Sequence, residues 1–279
     1  MSHRESIASV GRTAAHLLGG SPIGSPSIGL LPELIEAAGG ALPLRRMLLY
    51  HPDALGTFLW DRFPEERARV EEAAPIRVSL AAPMPTVTPV CFASMMTGLL
   101  PHDHGITAYE KPVLKCATVF DSLSALRKCA IVAVRDSSYD IIFRGRNIAY
   151  FSEDYDGEVL ARAKQLISEG SYEVIAVYTQ AYDDALHRTT PLSPAAIAAF
   201  RAQVDIFAGL AQAVAKHWSG VSHLLGFCPD HGAHTGADGR GTHGSDCPED
   251  VQVEHWFGVS RGKNRQEGRF LHRCSGWSG

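Results

Sequence analysis

Short, continuous apolar runs recur along the chain at Arg46–Tyr50, Ile76–Leu80, Cys129–Val134, Val174–Tyr178 and His223–Phe227. Runs of this length, bounded by turn residues, predict strands buried on both faces. Val251–Val259 supplies a last strand, and Asn147–Phe151 a short one. Between the runs the period changes to three and four. Thr118–Leu126 reads as a helix. Asp156–Glu169 carries Val159, Leu160, Ala163, Leu166 and Ile167 on one face, and Ser193–His217 carries Ile197, Phe200, Val204, Phe207, Leu210 and Val214. Such spacing predicts amphipathic helices. Strands alternating with helices give a mostly parallel sheet covered on both faces, an α/β three-layer αβα sandwich.

The first 44 residues fit this alternation less well. Ser6–Leu18 and Leu30–Ala38 have helical spacing around a Gly/Pro/Ser-rich loop, Gly19–Ser27. We expect an accessory segment over 1–44, lying as a surface flap, and the main domain over 45–279. The basic, irregular tail after about residue 260 is expected to be exposed.

Composition narrows the function classes. Of 279 residues, 45% are hydrophobic and 20% charged, with a formal net charge of -4. That is ordinary for a globular protein, and no basic surface for a nucleic-acid polymer or a membrane is expected. The chain shows no obvious run of about 18 apolar residues, so no membrane-crossing helix is expected. Arg4, Glu5 and Arg12 interrupt the first residues, so a signal peptide is not expected either. The six cysteines include no Cys-x-x-Cys pair. A reducing, cytoplasmic setting without disulfides is the expectation. Oligomeric state is open.

The chemistry-bearing residues fall just after the predicted strands. Asp53 follows the first run, Asp183 and His187 the fourth, and Asp230-His231-Gly232 the fifth. In open parallel sheets these loop ends converge on one edge. Asp183 and His187 are four apart, so a helical turn puts both on one face. Asp184 is a competing ligand. Gly241-Thr242-His243-Gly244 lies in a polar loop folding back toward the same edge, with His234 and His255 as alternatives to His243. Thr88, in Pro85-Thr86-Val87-Thr88-Pro89, sits where a helix begins. There the positive end of the peptide dipole favours an alkoxide or an attached phosphate. Pro85 and Pro89 are expected to hold the preceding loop extended. Asp53 and Thr88 each have a plainer reading as helix caps. His102 and His104, in Pro101-His102-Asp103-His104-Gly105, read as a structural turn.

These ligands can form two sites, one of Asp53, Asp230, His231 and the Thr88 oxygen, the other of Asp183, His187 and His243. Mixed oxygen and imidazole ligation suits zinc, with manganese as the other candidate. Two divalent metal ions about 4 Å apart would clamp a transferring phosphoryl group.

The order of motifs resembles the alkaline phosphatase superfamily, especially its nucleotide pyrophosphatase/phosphodiesterase branch. The matching pieces are Asp53-Ala54-Leu55-Gly56, Pro85–Thr88 through Thr97-Gly98, Leu100–Ile106, Asp183-x-x-x-His187, Asp230-His231-Gly232 and Thr242-His243-Gly244. The resemblance implies an alkaline phosphatase-like fold and a hydrolase of phosphodiesters or nucleotide pyrophosphates working through a covalent phospho-threonine at Thr88. It also implies that His104 is not a ligand. Phosphodiesterases of this kind carry Pro-Asn shortly after the nucleophile, where this chain has Val90-Cys91. Cys91 would then face the substrate without an amide to donate. Lys111 is the candidate cation to clamp a phosphate. The alternatives are a phosphomonoesterase or phosphonate hydrolase with the same site, or a metal-binding protein without activity.

Overall fold

The apolar runs pair side by side into one sheet in the computed structural model, which describes residues 5–262. Its strands in chain order are β1 (Glu5–Ser6), β2 (Arg46–Pro52), β3 (Ile76–Ala81), β4 (Cys129–Val134), β5 (Ala149–Glu153), β6 (Val174–Thr179) and β7 (His223–Phe227). A two-residue ladder, β8 (His234–Thr235) with β9 (Gly241–Thr242), stands apart, and β10 (Gln252–Ser260) rejoins the sheet. The eight-stranded order is β1-β3-β10-β7-β2-β6-β4-β5. β10 runs antiparallel to β3 and β7, and the other neighbours pair in parallel. β4 and β6 are buried at every position, as their unbroken apolar sequence requires, whereas the edge strand β5 is half-buried throughout.

Helices cover both faces, as the alternation predicts. One layer gathers Ser9–Leu17, Thr88–Thr97, Val119–Ser124 and Ser138–Ile142. The other gathers Pro64–Ala73, Asp156–Glu169, Ala181–Arg188 and Pro194–His217. The 24-residue Pro194–His217 helix is, by length and composition, long and apolar enough to cross a membrane, against the sequence expectation. Here its Phe207 stacks on Tyr50 of β2 and meets Phe227 of β7 edge-on, so its apolar face is a core face.

Register aligns the strand ends. Pro52 lies opposite Thr179, and Tyr50 opposite Phe227. The residues after β2, β6 and β7 therefore emerge at the same edge of the sheet.

The N-terminal segment is not a surface flap. Ile7, Val10, Ala14, Leu17, Leu31, Leu34 and Leu44 are buried in the common core. β1 extends the sheet by pairing Glu5 with Leu80. The Ser9–Leu17 helix packs on the Thr88–Thr97 helix through small residues, which carry a weak hydrophobic signal in sequence. Gly11 sits at the closest approach, where a Cβ would lie 2.4 Å from the Met95 carbonyl oxygen. The expected exposed tail falls largely outside the described residues.

Gly11→Ala tests this packing. Alanine gains about 1 kcal/mol of helix propensity, but overpacking against backbone costs about 1–3 kcal/mol. The expected net result is a lower thermal midpoint, read by calorimetry; an unchanged or higher midpoint would contradict the contact.

Candidate metal centre

Asp53 is the first residue beyond β2. It does not cap the following helix, which starts after Gly56 without a side-chain cap. Its Oδ2 accepts a hydrogen bond from Tyr178 of the neighbouring β6. Thr88 opens the Thr88–Thr97 helix, and Pro89 lies in that first turn rather than in the loop. A proline costs nothing there, because the first N–H groups of a helix have no intrahelical partner. The Thr88 hydroxyl does not cap the helix either. Its Oγ1 lies 3.4 Å from Asp53 Oδ2 and 3.4 Å from His231 Nε2.

Asp230 and His231 lie just past β7. His231 Nδ1 donates to the Gly232 carbonyl at 2.9 Å, so the lone pair sits on Nε2. That Nε2 lies 3.3 Å from Asp230 Oδ2 and 3.6 Å from Asp53 Oδ1. The Ala54 N–H donates to Asp230 Oδ1 at 3.1 Å, and Ala54 adopts a left-handed φ of 65° to do so. That conformation costs a non-glycine residue about 1 kcal/mol or more. Gly232 lets the two loops meet: a Cβ there would stand 1.9 Å from the Glu249 carbonyl oxygen and 2.7 Å from Gly56 Cα. The glycines of Asp53-Ala54-Leu55-Gly56 and Asp230-His231-Gly232 are thus steric requirements of one contact. Beneath them His51 donates from Nδ1 to the Cys228 carbonyl and His255 from Nε2 to the Pro229 carbonyl, at 2.9 and 2.7 Å.

The second cluster faces the first. On the Ala181–Arg188 helix, Asp183 Oδ1 lies 3.2 Å from His187 Nε2, and it lies 3.4 Å from His243 Nε2. The two Nε2 atoms are 3.1 Å apart, while both Nδ1 atoms face backbone carbonyls, of Gly241 and Thr86, at 3.0 and 2.9 Å. Carbonyls only accept, so both Nδ1 atoms carry hydrogen and the two Nε2 lone pairs point at each other. Such an arrangement needs a proton or a metal ion between them. The ring centres of His231 and His243, 4.2 Å apart, join the two clusters. Asp53 Oδ1, Asp183 Oδ1 and Asp230 Oδ2 are buried without a hydrogen-bond donor. Three orphaned carboxylate oxygens beside imidazole lone pairs fit two divalent ions.

Electrostatics agree. Burial, then the Asp183 charge, pushes Asp230 up to about 8. Burial and the charges of Asp230 and Asp183 raise Asp53 well above the carboxylate range. Burial also acts on Asp183, but the His187 and His243 imidazoles that face it outweigh burial and hold Asp183 low. Asp183 in turn lifts His187 to about 9. Burial, then His243, lowers His231 to about 3. Protons therefore occupy the places that metal ions would take.

The structure brings together all seven expected ligands. Asp183 is the member of its pair that faces the histidines; Asp184 is engaged by Tyr155 at 2.7 Å and Arg188 at 3.5 Å. His234 and His255 stand outside both clusters. His104 is buried against Ser94 Oγ at 2.9 Å, the structural role expected, though Pro101–His104 forms a short helix rather than a loop. Lys111 lines a cavity of about 140 Å³ with Asp53, Thr88, Asp183 and Asp184. Its Nζ donates to the Asp136 carbonyl at 2.9 Å. Cys91 does not line that cavity; it is fully buried, with Sγ 3.9 Å from the Pro83 carbonyl oxygen. One turn along the helix carries its side chain into the core. Sequence reasoning missed Tyr178, Tyr109, Arg135, Ser137, Ser138 and Gln180 on the cavity wall.

Metal binding must displace protons from Asp230 and His187. Both hold folded-state values above their ordinary 3.8 and 6.5, so the metal-free fold binds more protons than the unfolded chain. Its stability therefore falls as pH rises from about 6.5 to about 9. The expected outcome is that zinc raises the melting temperature, by an increment that grows across this window. A flat increment would contradict the proton displacement.

No family model and no curated protein matches the chain. Solved structures match by shape. Phosphonoacetate hydrolase from Sinorhizobium meliloti with phosphonoformate superposes at TM-score 0.51 and 17% identity, over 71% of this chain and 59% of that one. Its complex with phosphonoacetate gives TM-score 0.50 and 16% identity, over 70% and 58%. The inactive Thr-to-Ala form of murine ectonucleotide pyrophosphatase/phosphodiesterase 5 with AMP gives 0.51 and 16%, over 68% and 58%. The chain spans under two thirds of the length of each. Its mixed α/β architecture, a mostly parallel sheet flanked by helices, is the alkaline phosphatase-like fold that the motifs resemble.

Proposed function

We propose that the protein is a two-metal-dependent hydrolase of phosphate esters with Thr88 as its nucleophile. The observation that carries this reading is the Thr88 hydroxyl, 3.4 Å from Asp53 and from His231 at the mouth of a paired carboxylate–imidazole centre. Zinc, or manganese, held there would supply positive charge to the ionising hydroxyl and to the leaving oxygen. The chain does the rest. Thr88 Oγ1 attacks phosphorus and the alcohol departs, leaving a phospho-threonine at a helix N-terminus. Water then cleaves the phosphorus–Oγ1 bond and restores the hydroxyl. Loss of activity in the murine neighbour's Thr-to-Ala form supports a threonine in this role.

The cavity favours a small substrate. About 140 Å³ is below the usual range of ligand pockets. Lys111 on its wall suits a doubly charged group, beside an Arg135 already paired with Asp154 at 3.2 Å, and Cys91 supplies no donor. A monoester or small phosphonate is therefore favoured over the diester or nucleotide pyrophosphate that the motifs alone suggest. The bound phosphonates of the bacterial neighbour support the same choice.

Thr88→Ala should lower turnover of a nitrophenyl phosphate roughly a thousandfold or more while keeping its metal; wild-type-like turnover would eliminate the nucleophile. Lys111→Ala should raise KM for the monoester roughly tenfold, the worth of about 1.4 kcal/mol, with a smaller effect on a diester. Bound metal without turnover of any phosphate or phosphonate ester would instead establish a non-catalytic metal protein.

A further inference from the structure

We propose that His234, Cys247 and Asp250 form a third cation site, separate from the catalytic pair, that takes a thiophilic divalent ion such as zinc. His234 comes from β8. Cys247 occupies the N-cap of the short Pro248–Val251 helix, and Asp250 lies within that helix. One ligand atom from each lies within 4.8 Å of the others. His234 Nδ1 is 2.8 Å from Asp250 Oδ1 and 3.7 Å from Cys247 Sγ. Bonds of about 2.0 Å to nitrogen or oxygen and 2.3 Å to sulfur place tetrahedral ligand atoms roughly 3.3–3.5 Å apart. The site closes on an ion by widening one contact and narrowing the other.

A histidine–carboxylate hydrogen bond alone would account for two of the three groups. The third is what points to an ion, since the thiol converges on the same imidazole nitrogen. Asp250 is fully buried, and its Oδ2 is taken by the Ser245 N–H at 2.9 Å, which leaves Oδ1 for the cluster. Among the described residues no lysine or arginine pairs with it. Burial and the Asp250 and Glu249 carboxylates keep the Cys247 thiol protonated, and a bound cation reverses that preference. His234 and Cys247 also line a cavity of about 500 Å³ with Phe58, Arg62 and Leu192, so a water can complete the coordination.

The site ties down the loop that carries the catalytic histidines. The Asp250 carbonyl accepts from the Gly232 N–H at 2.8 Å, next to His231. The Gly244 N–H, next to His243, donates to Thr86 Oγ1 at 3.0 Å. An ion held between β8 and the Pro248–Val251 helix would cross-link both ends of this loop.

Cobalt(II) substitution tests the proposal independently of activity. The wild-type protein should take up three equivalents and show a near-ultraviolet thiolate-to-cobalt charge-transfer band. Cys247→Ala and His234→Ala should each lose that band and one equivalent while retaining two. A band that is absent from the wild type, or unchanged in Cys247→Ala, would overturn the third site. Loss of the other two equivalents alone would count against the catalytic centre and leave the Cys247 band in place.

Discussion

Three carboxylates converge beside three imidazoles, with Asp53 and Asp230 buried and Asp183 half-buried. Unit charges 4 Å apart repel by about 4 kcal/mol at the effective dielectric of a protein site. Such groups stay together either by taking up protons, as the raised Asp53 and Asp230 show, or with cations between them. The surroundings of the site are best understood from this constraint. Each histidine has its Nδ1 fixed by a backbone carbonyl, and each Nε2 turns inward. Tyr178 satisfies one oxygen of Asp53 and leaves the other for the centre.

The frame that holds these groups is buried and closely hydrogen-bonded. Asp156 accepts from the Gln180 and Ala181 N–H groups at 3.0 and 3.1 Å, which fixes the start of the helix carrying Asp183 and His187. Gln203 donates to the same carboxylate at 2.9 Å and accepts from Tyr50 at 2.6 Å, so both helix and β2 are tied to one network. The N-terminal helix Ser9–Leu17 backs the Thr88 helix within the same layer. A strained Ala54 and the Gly56–Gly232 approach persist because the surrounding strands over-determine them.

Much of this is legible in sequence, for identifiable reasons. β4, β6 and β7 are continuous apolar runs, and their ends point to the site by topology alone. The ligands stand out because Asp and His next to Gly, just past an apolar run, have no core role. Tyr178 was not legible, since it lies inside an apolar run and reads as core until Asp53 is placed beside it. The choice between Asp183 and Asp184 was open because only the partners Tyr155 and Arg188 identify Asp184. The N-terminal helix reads as a surface flap because most of its buried face is small or polar, Ser9, Gly11, Thr13, Ala14 and Ala15, with only Val10 and Leu17 strongly apolar. Cys91 was misplaced because motif spacing gives a position along a helix but not the burial of the side chain.

The most direct test of the central claim is an anomalous difference map from crystals grown with zinc. Apart from the separate site at His234, Cys247 and Asp250, two strong peaks about 4 Å apart are expected, one among Asp53, Asp230 and His231 and the other among Asp183, His187 and His243. A map without density between these carboxylates, at full zinc occupancy in solution, would contradict it.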